Sequence, residues 1–445
     1  MLKTLVGAFK NKDIRKKILY TLMILVIVRV GSLLPIPGVD TEYFSSLLSG
    51  INTGDLSYLS AFTGGSFERM SLFALSITPY ITSSIIMQLL TIAIPKLEEM
   101  QKEGEDGRKK IASITRYVTI ALALIESIAM AVGFGRQGLI KDYKDMSTIH
   151  YVTCIIVVVA ALTAGSAVLM WIGERITEKG VGNGISIVLA VNIISRIPSD
   201  MTTLFTKFVK GKSLASGGLA VVIIVAIILV LVVFVVVLQD GERRIAVQYS
   251  QKVMGRRTYG GQSTNIPLKV NTAGVIPIIF ASSLMQFPIV IATFAGKGNG
   301  TGIGSEILRG LNQGNWCNPQ MPKYSWGLAV YIILTVFFAY FYTSITFNPL
   351  EIANNMKKNG GFIPGIRPGK PTVEYLTKIL NYIIFVGACG LVLIQLVPII
   401  FNGWLGASVS FGGTSLIIIV SVILETLKQI ESQMLVRNYK GFLNK

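Results

Sequence analysis

Side chains suited to acid–base, nucleophilic or metal chemistry are scarce in this sequence. The only histidine, His150, falls at the outer edge of an apolar segment, where an interfacial imidazole is the ordinary role. The motifs HExxH, GxSxG and GxxxxGK(S/T) do not occur, and the Cys and His residues lack metal-ligand spacing. The glycine-rich GVGNGIS (180–186) follows no strand, so it predicts a tight turn that starts a helix, with Asn183 as the cap. These features indicate a protein that is not an enzyme and that uses no cofactor or metal.

Two ionisable residues lie clearly inside apolar segments, Arg29 and Glu126. A charge that faces lipid is costly, so such residues normally face a cavity or a partner. Glu126 is therefore a candidate functional residue, whereas Arg29, close to Gly31, better fits a snorkelling or inter-helix contact. An ion-coupled transporter usually needs more carboxylates near the membrane midplane, and their scarcity weakens that interpretation.

The segment 71–90 combines an aliphatic face with polar residues in a stretch that must cross a membrane. Ile81 and Ile85 are four residues apart and share a helix face. Beside them lie Thr82, Ser83, Ser84 and Gln88. The preceding residues 54–70 are too polar to span and too apolar for a simple loop, which predicts a re-entrant element enclosed by protein or a water-filled cavity. The combination suggests a channel, although ordinary helix packing explains the helix face equally well.

Composition decides the class of protein. Of 445 residues, 51% are hydrophobic and 14% are charged, against roughly 25% charged in an ordinary soluble chain. The apolar run 217–238 exceeds the approximately 20 residues needed to cross a bilayer. The chain is therefore predicted to be an all-α polytopic membrane protein. Ten spans are predicted, the fifth being the weakest: 18–34, 71–95, 113–134, 151–173, 182–204, 217–238, 272–294, 326–347, 376–400 and 412–434.

The distribution of positive charge orients these spans. Of the 41 Lys and Arg residues, 29 fall in the two terminal segments and the loops on their side, and 11 fall on the opposite side. Because cytoplasmic loops are enriched in Lys and Arg, both termini are predicted to be cytoplasmic. The long cytoplasmic loops are then 239–271 and 348–375, with a shorter one at 96–112. The net charge of +18 fits this bias without a nucleic-acid partner. Cys154, Cys317 and Cys389 are predicted to be unpaired.

Six segments, in order along the chain, resemble the SecY/Sec61-alpha family of protein-conducting channels. They are ALSITPYITSSIIMQLL (74–90), QKEGEDGRKKIASITRY (101–117), GVGNGISI (180–187), GRRTYGGQSTNIPLKVNTAGVIPIIFASS (255–283), FIPGIRPGKPTVEYL (362–376) and FGGTSLIIIVSVILE (411–425). The resemblance implies ten helices in two pseudo-symmetric five-helix halves around an hourglass pore. The halves would be residues 18–204 and 217–434, between a cytoplasmic segment 1–17 and a tail 435–445.

The resemblance also implies roles for particular residues. A ring of aliphatic side chains would seal the pore: Ile81, Ile85, Ile185, Leu189, Ile279 and Ile418, with Leu189 where the family commonly has isoleucine. A plug at about 55–68 would close the ring from outside, and its residues include Ser57, Leu59, Phe62, Gly64 and Gly65. A lateral gate between spans two and three and spans seven and eight would contain Gln88, Glu126 and Asn271, with Asn271 beginning a gate helix and Glu126 where the family often has glutamine. A cytoplasmic docking surface would include Arg243, Arg244, Arg256, Arg257, Lys357, Lys358 and Arg367.

The function implied by the resemblance is passive conduction of unfolded secretory polypeptides across the cytoplasmic membrane, with sideways release of hydrophobic segments into the membrane lipids. The implied partners are the SecE and SecG subunits, the SecA motor and the ribosome, whose RNA phosphates would attract Arg256 and Arg257 by charge. Without the resemblance, that arginine pair would be interpreted as part of a solvated inside-positive loop. The alternative function is a ten-span secondary transporter of a small solute, which predicts paired charges and broken helices at the midplane.

Overall fold

The computed structural model describes residues 7–50, 63–135, 139–140, 147–210, 214–249, 252–254, 257–259, 263–294, 302–405 and 413–443. The helices are α1 (Lys12–Gly31), α2 (Thr41–Gly50), α3 (Thr78–Ala93), α4 (Pro95–Lys102), α5 (Glu105–Phe134), α6 (Thr148–Lys179), α7 (Gly184–Phe208), α8 (Leu214–Asp240), α9 (Ile276–Phe294), α10 (Ile303–Leu311), α11 (Trp326–Thr346), α12 (Pro349–Lys358), α13 (Lys370–Leu405) and α14 (Gly413–Leu443). The strands are β1 (Glu242–Tyr249), β2 (Lys252–Met254), β3 (Arg257–Tyr259), β4 (Ser263–Lys269) and β5 (Gly361–Phe362).

Helices dominate because backbone groups inside a bilayer must be hydrogen-bonded within their own segment. Among the described residues, seven helices are long and apolar enough to cross a membrane, and the bent pair α3 and α4 would make eight. Two predicted spans fall outside this set: α1, whose first six residues carry most of its charges, and α9, a shorter apolar helix. The predicted fifth span, α7, is within the set. The total of ten spans stays a prediction.

Local sequence explains where several helices begin. Asn183 caps α7, as predicted: its Oδ1 accepts hydrogen bonds from the N–H groups of Ile185 and Ser186 at 3.2 and 3.3 Å. Asn348 caps α12 in the same way. These side chains satisfy backbone donors that have no partner inside the helix.

The second span begins later than predicted. The sequence predicts a helix from residue 71, but residues 71–77 form turns and α3 starts at Thr78, with Pro79 in its first turn. Met70 and Ser76 have positive φ angles of 41° and 53°, which no right-handed helix accommodates. After Ala93 the chain bends by 101° into α4, so the predicted loop 96–112 contains helical residues.

Helix pairing in the first part of the chain recurs in the second part. α3 packs on α5, α5 on α6, and α6 on α7, while α1 contacts α6 and α7. Five spans later, α9 packs on α11, α11 on α13, and α13 on α14, while α8 contacts α13 and α14. Such repetition is typical of two halves built on one connectivity. The two groups of helices meet where α7 packs on α14 and where α5 packs on α9.

The two long loops predicted to be separate cytoplasmic segments form one folded unit, hereafter the sheet unit (β1, β4, β5 and α12). β1 pairs antiparallel with β4 and also with β5, so the strand order is β4-β1-β5. Ile245 and Val247 alternate inward along β1 and pack with Leu268, Met356 and the first turns of α13. The sequence missed this unit because each strand is short and its partner lies far along the chain.

Candidate functional site

Branched aliphatic side chains from both groups of helices meet in one cluster, hereafter the aliphatic cluster. Its buried members are Leu189 and Ile193 of α7 and Ile418 of α14, which are 7%, 3% and 2% exposed. Its partly buried members are Ile81, Val275, Ile419 and Val422. Four segments of the chain converge here: α3, α7, α14 and the turn before α9. Every member is a branched hydrocarbon that offers no hydrogen bond to water or to an ion.

The structure brings together three of the six predicted ring residues, Ile81, Leu189 and Ile418, in this cluster. Ile85 is half-buried one helical turn beyond Ile81 on α3. Ile279 is one turn beyond Val275, whose carbonyl oxygen accepts a hydrogen bond from the Ile279 N–H at 3.2 Å.

Ile185 is placed differently from the other predicted ring residues. Its side chain packs in a neighbouring cluster with Ile176 and Ile187. A Cβ added to Gly173 would lie 2.7 Å from Ile185 Cγ1, so Ile185 rests directly on α6. The structure therefore does not bring Ile185 into the aliphatic cluster.

Two members of the aliphatic cluster were missed in the sequence. Ile193 is four residues after Leu189, so helical spacing alone places it on the same face of α7. Val275 gives no such signal, because it precedes α9 in a turn and its position depends on how that turn packs.

The predicted plug is described only at its C-terminal end. Ser57, Leu59 and Phe62 lie outside the described residues. Gly64 and Gly65 have φ angles of 64° and 82°, a conformation that glycine adopts at no steric cost. Gly64 lies against α7, where an added Cβ would meet the Asn192 carbonyl oxygen at 2.7 Å. This end of the segment thus contacts the same helix that supplies two buried members of the aliphatic cluster.

A polar contact fixes the turns between this segment and α3. Asn192 is 2% exposed, and its Nδ2 donates a hydrogen bond to Ser76 Oγ at 3.1 Å. This bond joins α7 to the residue whose positive φ delays the start of α3. A buried amide and a strained backbone position therefore stabilise each other next to the aliphatic cluster.

The predicted lateral gate corresponds to the seam where α5 packs against α9. Gln88 is exposed on α3, Glu126 is half-buried on α5, and Asn271 is 5% exposed. Within the described part of the chain, no hydrogen bond joins these three residues, and Asn271 Nδ2 is buried without an acceptor.

Asn271 does not begin a helix, contrary to prediction. It lies in the turn 270–275, and α9 starts at Ile276. The Val270 carbonyl oxygen and the Asn271 Cα pack on Gly387 of α13. That contact holds the start of α9 to a neighbouring helix of the same group, which explains why the turn replaces the predicted first helical residues.

The predicted docking residues gather on the sheet unit. Arg243 and Arg244 are exposed on β1, and Lys357 and Lys358 are exposed at the end of α12. Arg244 is already paired with Glu242 at 2.6 Å, which reduces its free charge.

The remaining docking residues are described unevenly. Arg367 is exposed in the turn before α13, where its carbonyl oxygen accepts a hydrogen bond from Thr372 Oγ1 at 2.9 Å. Arg256 lies outside the described residues, and of Arg257 only the backbone, at the start of β3, is described. A set of exposed cations on one folded surface is suited to an anionic partner.

Comparison with known proteins adds to this geometry. Residues 71–427 match the SecY family. A curated protein of Streptomyces galbus named protein translocase subunit SecY is 46% identical, with all of both chains covered. A protein of Corynebacterium glutamicum with the same name is 43% identical over 99% of this chain and 100% of its own.

Solved structures share the fold. A structure described as a protein conducting channel aligns with a TM-score of 0.58 at 17% identity, covering 94% of this chain and 92% of its own. A study of the SecY plug domain in the closed channel gives a TM-score of 0.59 at 18% identity with the same coverage. Sec61 in a canine ribosome-channel complex aligns with a TM-score of 0.55 at 16% identity, covering 94% of this chain and 92% of its own.

Proposed function

Because this chain belongs to the SecY family, we propose that it is the pore-forming subunit of a protein-conducting channel. It moves unfolded secretory polypeptides across the cytoplasmic membrane and releases hydrophobic segments sideways into lipid. The aliphatic cluster carries the proposal, since it lies where the two groups of helices meet and is built entirely of hydrocarbon side chains. Relatives named as protein translocase subunits support the same function. Nothing in the comparisons supports a small-solute transporter.

The aliphatic cluster acts as the seal of the resting channel. A narrow hydrocarbon constriction excludes ions because it cannot replace their hydration shells, and it stays dry without any charged gate. Ile81, Leu189 and Ile418 form the seal with Ile193 and Val275, while Ile85 and Ile279 line the turns next to it. A passing polypeptide displaces flexible side chains rather than breaking covalent or ionic bonds, so the seal opens and closes around the chain.

The lateral gate is the seam between α5 and α9. Gln88, Glu126 and Asn271 are its polar residues, and hydrogen bonds across membrane helices contribute only about 1 kcal/mol each. The seam therefore depends on apolar packing, which an entering hydrophobic segment replaces with packing of its own. Helix separation at this seam gives such a segment access to lipid.

The sheet unit is the docking surface for the energy source. The chain carries no nucleotide-binding motif, so transport depends on SecA or on the elongating ribosome. Ribosome binding uses charge attraction between RNA phosphates and the cations Arg243, Lys357 and Lys358, together with Arg256 and Arg257. Arg367 serves SecA more than the ribosome, because Pro368 restricts its backbone and fixes its direction. SecE and SecG complete the channel in the cell membrane, and both chain termini are cytoplasmic.

The proposal is tested by transport into sealed vesicles. The chain is purified with the small subunits that accompany it and is reconstituted with SecA, ATP and an unfolded secretory precursor. We expect the precursor to become protected from added protease, and we expect a precursor locked in its folded state to remain accessible. Precursor that stays fully accessible, in vesicles that instead accumulate a small solute, would establish the transporter alternative.

A further inference from the structure

Two polar contacts hold the C-terminal end of the plug segment to α7. The Glu68 carboxylate forms an ion pair with Arg196, with 2.9 Å between Oε1 and Nη1. Gly64 sits so close to α7 that an added Cβ would lie 2.7 Å from the Asn192 carbonyl oxygen and 2.8 Å from Ser195 Oγ. We call Gly64, Glu68, Asn192 and Arg196 the latch.

The latch and the seal occupy one face of one helix. Leu189, Asn192, Ile193 and Arg196 follow each other at spacings of three, one and three residues, which is the pattern of a single helix face. Seven residues of helix rise by about 10 Å, so the latch begins one turn beyond the buried seal. A change in how the latch engages α7 therefore acts directly beside the aliphatic cluster.

The chain beyond the latch is fixed on its other side. Phe67 is 2% exposed and packs edge-on against Phe44, with ring centroids 5.9 Å apart. The Ser71 N–H donates a hydrogen bond to the Ser66 carbonyl oxygen at 3.0 Å. Because residues from Ser66 onward belong to the core of the first group of helices, movement of the plug has to begin at Gly64 and Gly65.

Partial burial makes the ion pair count for more than a surface pair. The Arg196 side chain is 18% exposed and that of Glu68 is 41% exposed, so solvent screens the pair incompletely. Removing the carboxylate takes a close counter-charge from a mostly buried guanidinium, which is more costly than removing an exposed partner. The pair therefore favours the arrangement in which the segment lies on α7.

From these contacts we propose that Glu68 and Arg196 are positioning residues for the plug. They hold the segment C-terminal to the plug on α7, and the Gly64 seat on Asn192 sets the point from which the plug swings. The latch thereby returns the plug to the seal whenever the pore is empty. This inference rests on the proposed channel function and assigns the resting position of the plug to specific contacts.

The first test separates charge pairing from side-chain packing. Glu68→Gln should raise resting ion conductance in reconstituted bilayers by about two- to tenfold, the range expected when a two-state equilibrium loses one partly buried ion pair. The exchanged double variant, Glu68→Arg with Arg196→Glu, should restore low conductance because the pair is rebuilt in reverse. Glu306→Gln is the matched control, since it removes a 2.7 Å ion pair with Lys323 that does not involve α7.

The second test addresses the seat. Gly64→Ala adds a methyl group against the Asn192 carbonyl oxygen and should also raise resting conductance. Gly38→Ala is its control, because Gly38 has a similar positive φ of 83° but no atom within 4 Å of an added Cβ. The two substitutions impose comparable backbone strain, so only loss of the seat distinguishes them.

The outcomes distinguish the latch from the channel function itself. Wild-type protein that fails to protect the precursor would overturn the proposed function before the latch is considered. If wild type transports the precursor and is sealed at rest, unchanged conductance in Glu68→Gln and Gly64→Ala would overturn the latch. Increased conductance that the exchanged pair does not reverse would also overturn it, since the side chains would then act through packing alone.

Discussion

Leu189 shows how a single residue decides whether the resting pore is wet. It is 7% exposed and contacts only hydrocarbon within the aliphatic cluster. Leu189→Asn should raise resting ion conductance by at least about tenfold, because exchanging a hydrocarbon for a hydrogen-bonding amide lowers the cost of wetting by more than about 1.4 kcal/mol. Single-channel recording in planar bilayers without a translocating substrate measures the change.

Leu189→Ile is the control for this substitution, since it keeps a branched aliphatic of equal volume and should leave the conductance low. The structure also separates Leu189 from Ile185, which packs on Gly173 instead. Equal conductance in wild type and Leu189→Asn would remove Leu189 from the seal.

Among the secondary-structure elements, α13 positions the start of α9. The turn 270–275 packs on Gly387, where no side chain fits between the Val270 carbonyl oxygen and α13. Gly387→Ala should therefore push this turn away and destabilise the protein by about 1–3 kcal/mol, the usual cost of overpacking. Thermal unfolding in detergent should show a lower midpoint.

A second glycine substitution provides the control for this element. Gly304→Ala in α10 adds a methyl group to open space, since no atom lies within 4 Å of its Cβ position. It should leave the midpoint within experimental error or raise it slightly, because alanine reduces the freedom of the unfolded chain. Equal midpoints for the two variants would show that the turn relaxes freely on α13.

At the scale of the whole molecule, exposed cations from two distant loops share the sheet unit. Arg243→Glu should weaken ribosome binding and reduce the slope of its salt dependence by about 1, since one phosphate contact is lost. Arg244→Glu should have a smaller effect, because Glu242 already neutralises Arg244 at 2.6 Å. Co-sedimentation with ribosomes over a series of salt concentrations measures both variants.

Reversal of Arg256 and Arg257 is expected to weaken binding in the same way as reversal of Arg243. Lys102→Glu, on α4 rather than the sheet unit, tests whether overall charge alone explains the losses. If Arg244→Glu and Arg243→Glu reduced the affinity equally, pairing with Glu242 would have no influence on docking.

The sequence by itself determined the class of fold and most of the spans, because the hydrophobicity of about 20 neighbouring residues is a local property. It also identified the Asn183 cap and the shared face of Ile81 and Ile85, which follow from fixed helical spacing. Helical spacing from Leu189 would have given Ile193 as well. Each of these depends on residues within two turns of one another.

Only the tertiary structure decided how distant segments meet. The late start of α3 depends on Ser76, whose strained backbone is held by Asn192 of α7. The sheet unit depends on the pairing of β5 with β1, and the latch on the ion pair between Glu68 and Arg196. Each contact joins residues more than 100 positions apart, and no periodicity within a segment encodes its partner. Packing of whole helices against each other brings these residues together, so it is this packing that places the plug segment beside the seal.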